Sequence, residues 1–161
     1  MRTLKTMIPA LIVMLSMLSM AKAQENFSGI YTLDANKTQH IDAPLEIIAS
    51  KLKISQTNTT IIIQRTTGER VITDTLSLDG MQKTSITPTG RTKVAGITWS
   101  ADKKQLIEVA KNSTREDANT PDYTIKETWS LSVDGKTLTI VQFWDWESRP
   151  DYTFSLVYNK Q

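Results

Sequence analysis

From Phe27 onward apolar and polar residues alternate in short runs with a period of two, as in LKISQ, TLSLDG and ETWSLSV, and the runs are rich in Thr, Ile, Val and Trp. That period puts successive side chains on opposite faces of a pleated backbone with one face buried. It predicts strands over residues 27–33, 50–57, 60–66, 71–78, 81–87, 91–99, 104–112, 122–133, 137–145 and 151–159. No window carries the helical period. Only Ala43 to Ala49 (APLEIIA) suits a short turn of helix, and its adjacent isoleucines fit a strand edge equally well. The connections are Asn58-Thr59, Thr67-Gly68, Asp79-Gly80, Thr89-Gly90, Ser100 to Lys103 and Asp134-Gly135. Connections this short join antiparallel neighbours and leave no room for crossover helices. Curling such a meander shut buries one face and removes the open edges. The expected fold is all-β, an antiparallel up-and-down meander of about 8–10 strands closed into a barrel.

Register follows from the turns. Asp-Gly between alternating runs signals a two-residue type I′ turn, with positive φ at both positions. Such a turn at Asp134-Gly135 pairs Val133 with Lys136, Leu131 with Leu138, Trp129 with Ile140, Glu127 with Gln142 and Ile125 with Trp144. Apolar then meets apolar on one face, and a one-residue slip would destroy the match. On the last strand Tyr152, Phe154, Leu156 and Tyr158 form the inward set, with Phe154 opposite Gln142 and Tyr152 opposite Trp144. Trp144 and Tyr152 should then stand at the barrel mouth, with Trp146 exposed in a loop that runs on to Pro150.

The first 23 residues, MRTLKTMIPALIVMLSMLSMAKA, have the layout of a cleaved signal peptide: a basic lead, a short apolar run and an A-x-A close. The apolar run is shorter than the about 20 residues a spanning helix needs. Cleavage would leave residues 24–161 as a single domain starting at Gln24 and secreted or periplasmic in location. Arg2, Lys5 and Lys22 leave with the signal, so the 19 basic residues fall to 16 against 17 acidic ones and the formal charge moves from +2 to −1. The basic balance is therefore partly the export signal's and not the footprint of a nucleic-acid partner. With no cysteine, the exported chain has neither a disulfide nor a lipid-modified cysteine and points to a bacterial source.

The mature chain opens NFSGIYTLDANKTQ, and Phe27-x-Gly29-x-Tyr31 resembles the F-x-G-x-W that starts the first strand of lipocalins and related calycin barrels. With LKISQ, TLSLDG, ITWSADKKQLIEV, ETWSLSVDGKTLTI and an aromatic closing strand, residues 26–159 look like the small exported lipocalin-like domains of bacteria, a group of largely uncharacterised function. The resemblance implies a lipocalin-like barrel. Two features depart from the pattern. Tyr31 stands where lipocalins usually carry tryptophan, and the arginine that typically packs across that ring has no clear counterpart. Arg149, in a loop by the register above, is the nearest candidate.

Catalytic chemistry finds little to build on. His40 is the single histidine and lies in a predicted loop, and no nucleophile elbow accompanies it, so neither a zinc site nor a Ser-His-Asp system is supported. The constellation that remains is inward Glu127, with Glu108, beside Gln142. It could hold a polar ligand head or act as a general acid, or the groups could satisfy one another. Trp99, Trp129, Trp144, Tyr152 and Phe154 could line an apolar cavity or fill the barrel, with core filling the expected role of Trp99 and Trp129. The candidate ligand-binding set is Trp99, Glu127, Trp129, Gln142, Trp144, Tyr152 and Phe154, with no catalytic residue, metal or cofactor. An outer-membrane barrel would show an apolar outer face, whereas the outward positions here are Lys, Thr, Ser and Asn. The expectation is a monomeric, non-enzymatic barrel binding a small apolar or amphipathic ligand. The alternative is a solid-barrel interaction module that contacts a protein or glycan partner through loops 112–121 and 145–151.

Overall fold

The computed structural model describes residues 24–39, 48–114 and 121–161. The signal-peptide expectation for residues 1–23, His40, most of APLEIIA and the centre of the 112–121 loop lie outside the described residues. The ten strands are β1 (Gly29–Leu33), β2 (Lys51–Gln56), β3 (Thr60–Thr67), β4 (Arg70–Ser77), β5 (Lys83–Ile86), β6 (Thr92–Trp99), β7 (Gln105–Ser113), β8 (Tyr123–Leu131), β9 (Thr137–Trp146) and β10 (Tyr152–Lys160). Each expected strand is present, with its ends within two residues of the alternation pattern.

All ten strands form one antiparallel sheet in the order β4-β3-β2-β1-β10-β9-β8-β7-β6-β5. The first and last strands of the chain pair, Leu33 opposite Tyr158, which curls the meander into a nearly closed lipocalin-like barrel. The ring is not hydrogen-bonded all the way round. β4 and β5 are the two ends of the sheet, and across the split β4 packs against β6 instead. The β8–β9 register is the expected one, with Leu131 opposite Leu138, Trp129 opposite Ile140, Glu127 opposite Gln142 and Ile125 opposite Trp144. β10 continues it, Phe154 opposite Gln142 and Tyr152 opposite Trp144.

The turn that sets this register differs from expectation. Only Gly135 has a positive φ, 68°, and Asp134 does not, so the loop is not type I′. It is wider: Ser132 N–H donates to Thr137 O and Gly135 N–H to Ser132 O, leaving four residues between the paired ones. The Asp134 carboxylate accepts from Lys136 N–H and Ser132 Oγ. Widening the loop by one residue on each side leaves the register sum unchanged, which is why the pairing survives.

Alternation sends Leu52, Ile54, Ile61, Ile63, Ile97, Leu106, Leu138 and Leu156 inward as a continuous core. One end of the barrel is plugged. Residues 24–28 cross it: Phe27 N–H donates to Gln56 Oε1, Gln56 Nε2 donates to Glu25 O, and Glu25 N–H donates to Lys103 O. Phe27 is fully buried there against Trp99, ring centroids 6.0 Å apart. Tyr31 is also fully buried, and the cation packed over its ring is Lys160 of β10, with Nζ 5.6 Å from the centroid. Arg149, the candidate from the lipocalin pattern, lies instead over Trp146 at 4.8 Å, at the opposite end of the barrel. Gly29 makes the Tyr31–Lys160 contact possible, because a Cβ there would stand 2.6 Å from Lys160 Cε.

Candidate functional site

Away from the plug the interior opens into a cavity of about 590 Å³. It reaches the barrel end at the β3–β4 and β5–β6 turns, with Arg70 and Thr87 to Thr89 among its outer residues. Ile125, Ile140 and Leu156 form apolar wall, and Tyr123, Trp144 and Phe154 add aromatic surface. A volume of this size lies within the range of about 300–1,000 Å³ typical of small-molecule sites.

At mid-depth five charged side chains meet. Arg65 is inward on β3 because it continues the Ile61, Ile63 parity, and by the same rule Asp74 shares the parity of Leu76, and Lys93 that of Ala95 and Ile97. Arg65 Nη1 donates to Asp74 Oδ2 at 2.8 Å, and Nη2 donates to Glu108 Oε2 at 2.8 Å and Glu127 Oε2 at 3.1 Å. Lys93 Nζ donates to Asp74 Oδ2 at 3.0 Å and lies 3.5 Å from Glu108 Oε1. The Asp74–Lys93 pair thus spans the split between β4 and β6. Glu127 also accepts from Trp129 Nε1 at 2.8 Å and Gln142 Nε2 at 2.6 Å, and Gln142 Oε1 accepts from Trp144 Nε1 at 3.1 Å.

These contacts fix the ionisation pattern. Burial alone would lower the pKa of Arg65, but Glu108, Glu127 and Asp74 together raise it, and the guanidinium stays charged. Desolvation raises the pKa of Glu127; Arg65 pulls it back, and the neighbouring Glu108 charge pushes it up again. Burial, reinforced by the Glu127 charge, also raises Tyr158.

Near the mouth the rings form a ladder. Trp144 stacks on Tyr123 (5.3 Å), Tyr152 (5.7 Å), Trp146 (5.8 Å) and Phe154 (6.3 Å). Arg91, paired with Asp122, lies 5.5 Å from the Tyr123 centroid.

Of the residues proposed from sequence, Glu127, Gln142, Trp144 and Phe154 line the cavity. Trp99, Trp129 and Tyr152 do not. Trp129 is fully buried in the core, Trp99 packs on Phe27 at the plug, and Tyr152 stacks beside Trp144 and Phe154. Trp146 is not an exposed loop residue as expected. β9 extends through it, and the inward parity it shares with Trp144 tucks its ring 4.5 Å from Tyr123. Arg65, Asp74 and Lys93 were not singled out from sequence. Extending the inward parity of their own strands would have found them. Among the described residues no cluster of His, Cys, Asp and Glu has the arrangement of a metal site.

No protein-family model matches the chain, and no curated protein matches it in sequence. Solved structures do share its fold. The apo form of lipid binding protein 8 of Caenorhabditis elegans superimposes with a TM-score of 0.57 at 13% identity, covering 84% of this chain and 95% of that one. A secretary abundant heat soluble (SAHS) protein of Ramazzottius varieornatus superimposes with a TM-score of 0.62, also at 13% identity, covering 87% of this chain and 98% of that one. At this identity the likeness establishes the barrel fold and leaves the ligand to be argued from the site.

Proposed function

We propose that the barrel is a binding protein for a small apolar or amphipathic molecule and that it performs no catalysis. The observation that carries this reading is the cavity of about 590 Å³, bounded by apolar and aromatic side chains with one polar cluster at depth. Such a site buries a ligand body and fixes its orientation through a few polar groups. The fold is shared with a protein described as a lipid binding protein, which is consistent with this reading. The interior does not favour the solid-barrel alternative: Phe27, Trp99 and Trp129 fill only the plugged end. Glu108 and Glu127 are engaged by Arg65 and their neighbours, and no histidine lines the described cavity, which supports binding over acid–base work. Export to the periplasm or medium through residues 1–23 remains part of the proposal.

The test is titration of purified residues 24–161 with an environment-sensitive apolar dye, together with mass spectrometry of small molecules retained through native purification. Saturable one-to-one binding that Trp144→Ala weakens is expected. A dye signal that never saturates, with no retained molecule, would overturn the reading.

A further inference from the structure

The charges at the cavity's mid-depth do not suit an anionic ligand head. Arg65 and Lys93 supply two positive charges and Asp74, Glu108 and Glu127 three negative ones, and both cations are already held by these carboxylates at 2.8 to 3.5 Å. An incoming carboxylate or phosphate would have to compete with three carboxylates for the same two cations, in a cluster whose formal charge is already negative. Arg70, the further cation lining the cavity, lies exposed at the mouth, where water screens it. Acceptor capacity is left over: among the described residues Asp74 Oδ1 receives no hydrogen bond, and Glu108 Oε1 has only Lys93 nearby at 3.5 Å. Both residues face the cavity. Tyr123 and Trp144 line the same cavity, and aromatic rings attract a cation through the ring quadrupole.

We propose that the ligand is a cationic amphiphile, whose protonated amine sits against Asp74 and Glu108 and whose apolar body lies along Trp144, Tyr123 and Phe154. The inference rests on the ligand-binding reading above and adds the charge class. The amine supplies the positive charge the cluster lacks and donors for the two open oxygens, whereas a neutral alcohol supplies donors alone. Glu127 faces Arg65 of β3, Glu108 of β7 and Gln142 of β9, with Asp74, Lys93 and Tyr158 completing the titratable groups around it. A bound cation stabilises the ionised form of Glu127, so amine binding should strengthen as pH rises above the ordinary glutamate value of 4.5.

Calorimetric titration of residues 24–161 with dodecylammonium, dodecanol and dodecanoate, at matched ionic strength below the aggregation limit of each, separates the possibilities. The amine is expected to bind about tenfold or more tightly than the alcohol, and the carboxylate more weakly than either. Asp74→Asn should reduce the amine's affinity severalfold more than the alcohol's, because it removes the charge and keeps an acceptor oxygen. The pH trend of the amine-to-alcohol ratio in the unmodified chain gives the same information should that variant fail to fold. Equal affinity for the three, or tightest binding of dodecanoate, would overturn the charge inference and leave the pocket reading standing. Absence of saturable binding for all three, together with the failed dye titration, would remove both.

Discussion

Trp129 and Trp144 lie on neighbouring strands with the same inward parity, yet substitution should separate them. Trp129 is fully buried and donates to Glu127, so Trp129→Ala removes a core ring and one of the hydrogen bonds that hold the buried carboxylate. A loss of about 3–5 kcal/mol of stability is expected in chemical denaturation. Trp144 is half-buried and borders the cavity, so Trp144→Ala should cost less stability and weaken dye binding by about 1–3 kcal/mol. Arg65→Met should destabilise by about 3–5 kcal/mol, because it leaves three carboxylates around a removed cation. The pH dependence has a definite sign. Glu127 has a raised folded-state pKa, so its contribution is present below the unfolded value of about 4.5 and is lost as pH rises through the folded value. Asp34, Asp79, Asp122 and Asp134 have lowered values, so their contributions are present above the unfolded value near 3.8 and are lost as pH falls. Melting curves from pH 4 to 8 should therefore show the unmodified chain losing stability relative to Glu127→Gln as pH increases. A constant offset between the two would contradict the assignment.

At the scale of elements, the β6–β7 and β8–β9 connections use the same hydrogen bonds. Ser100 and Ser132 N–H donate to Gln105 O and Thr137 O, and Lys103 and Gly135 N–H donate back to Ser100 O and Ser132 O. The left-handed position is Gly135 in one and Lys103, with φ of 58°, in the other. A side chain there costs roughly 1–2 kcal/mol, of which glycine's extra unfolded-state entropy offsets part. Lys103→Gly should stabilise the protein by about 0.5–1 kcal/mol and Gly135→Lys should destabilise it by a similar amount, both readable from denaturation midpoints. The split in the ring should also be visible. β5 has four residues and a single ladder partner, β6, whereas β8 and β9 are each paired on both sides. Amide exchange should be fastest in β5 and along the free edge of β4, and slowest in β8 and β9. Uniform protection around the barrel would mean that the split closes in solution.

For the whole molecule, closure depends on the chain's two ends meeting, since β1 pairs with β10 and residues 24–28 seal the plugged end. A chain beginning at Gln24 keeps every one of these contacts, so it should fold as stably as a chain that retains the leader. On the export proposal, N-terminal sequencing of the protein made in cells should find Gln24 first, and fractionation should place it outside the membrane. Retention of Met1, or association with membranes that survives a salt wash, would count against export by cleavage. Removing residues 24–28 should instead unseal the plug, exposing Phe27's partner Trp99, and lower the melting temperature.

Strand positions, the β8–β9–β10 register and the inward parity of Glu127, Gln142, Trp144 and Phe154 were determined by the sequence alone, because period-two alternation and turn chemistry act between neighbours a few residues apart. Even the misjudged Asp134-Gly135 turn left the register intact, since register depends on the sum of paired positions and not on turn type. The split between β4 and β5, the filling of one end by Phe27 and Trp99, and the open volume at the other were decided only by the tertiary structure. A cavity is the difference between the space ten strands enclose and the side chains sent into it, and no local window contains that difference. The charged cluster belongs to the same class. Each of Arg65, Asp74, Lys93, Glu108 and Glu127 has an inward parity readable on its own strand, but their meeting joins residues up to 62 positions apart, and only barrel closure brings them within hydrogen-bonding distance.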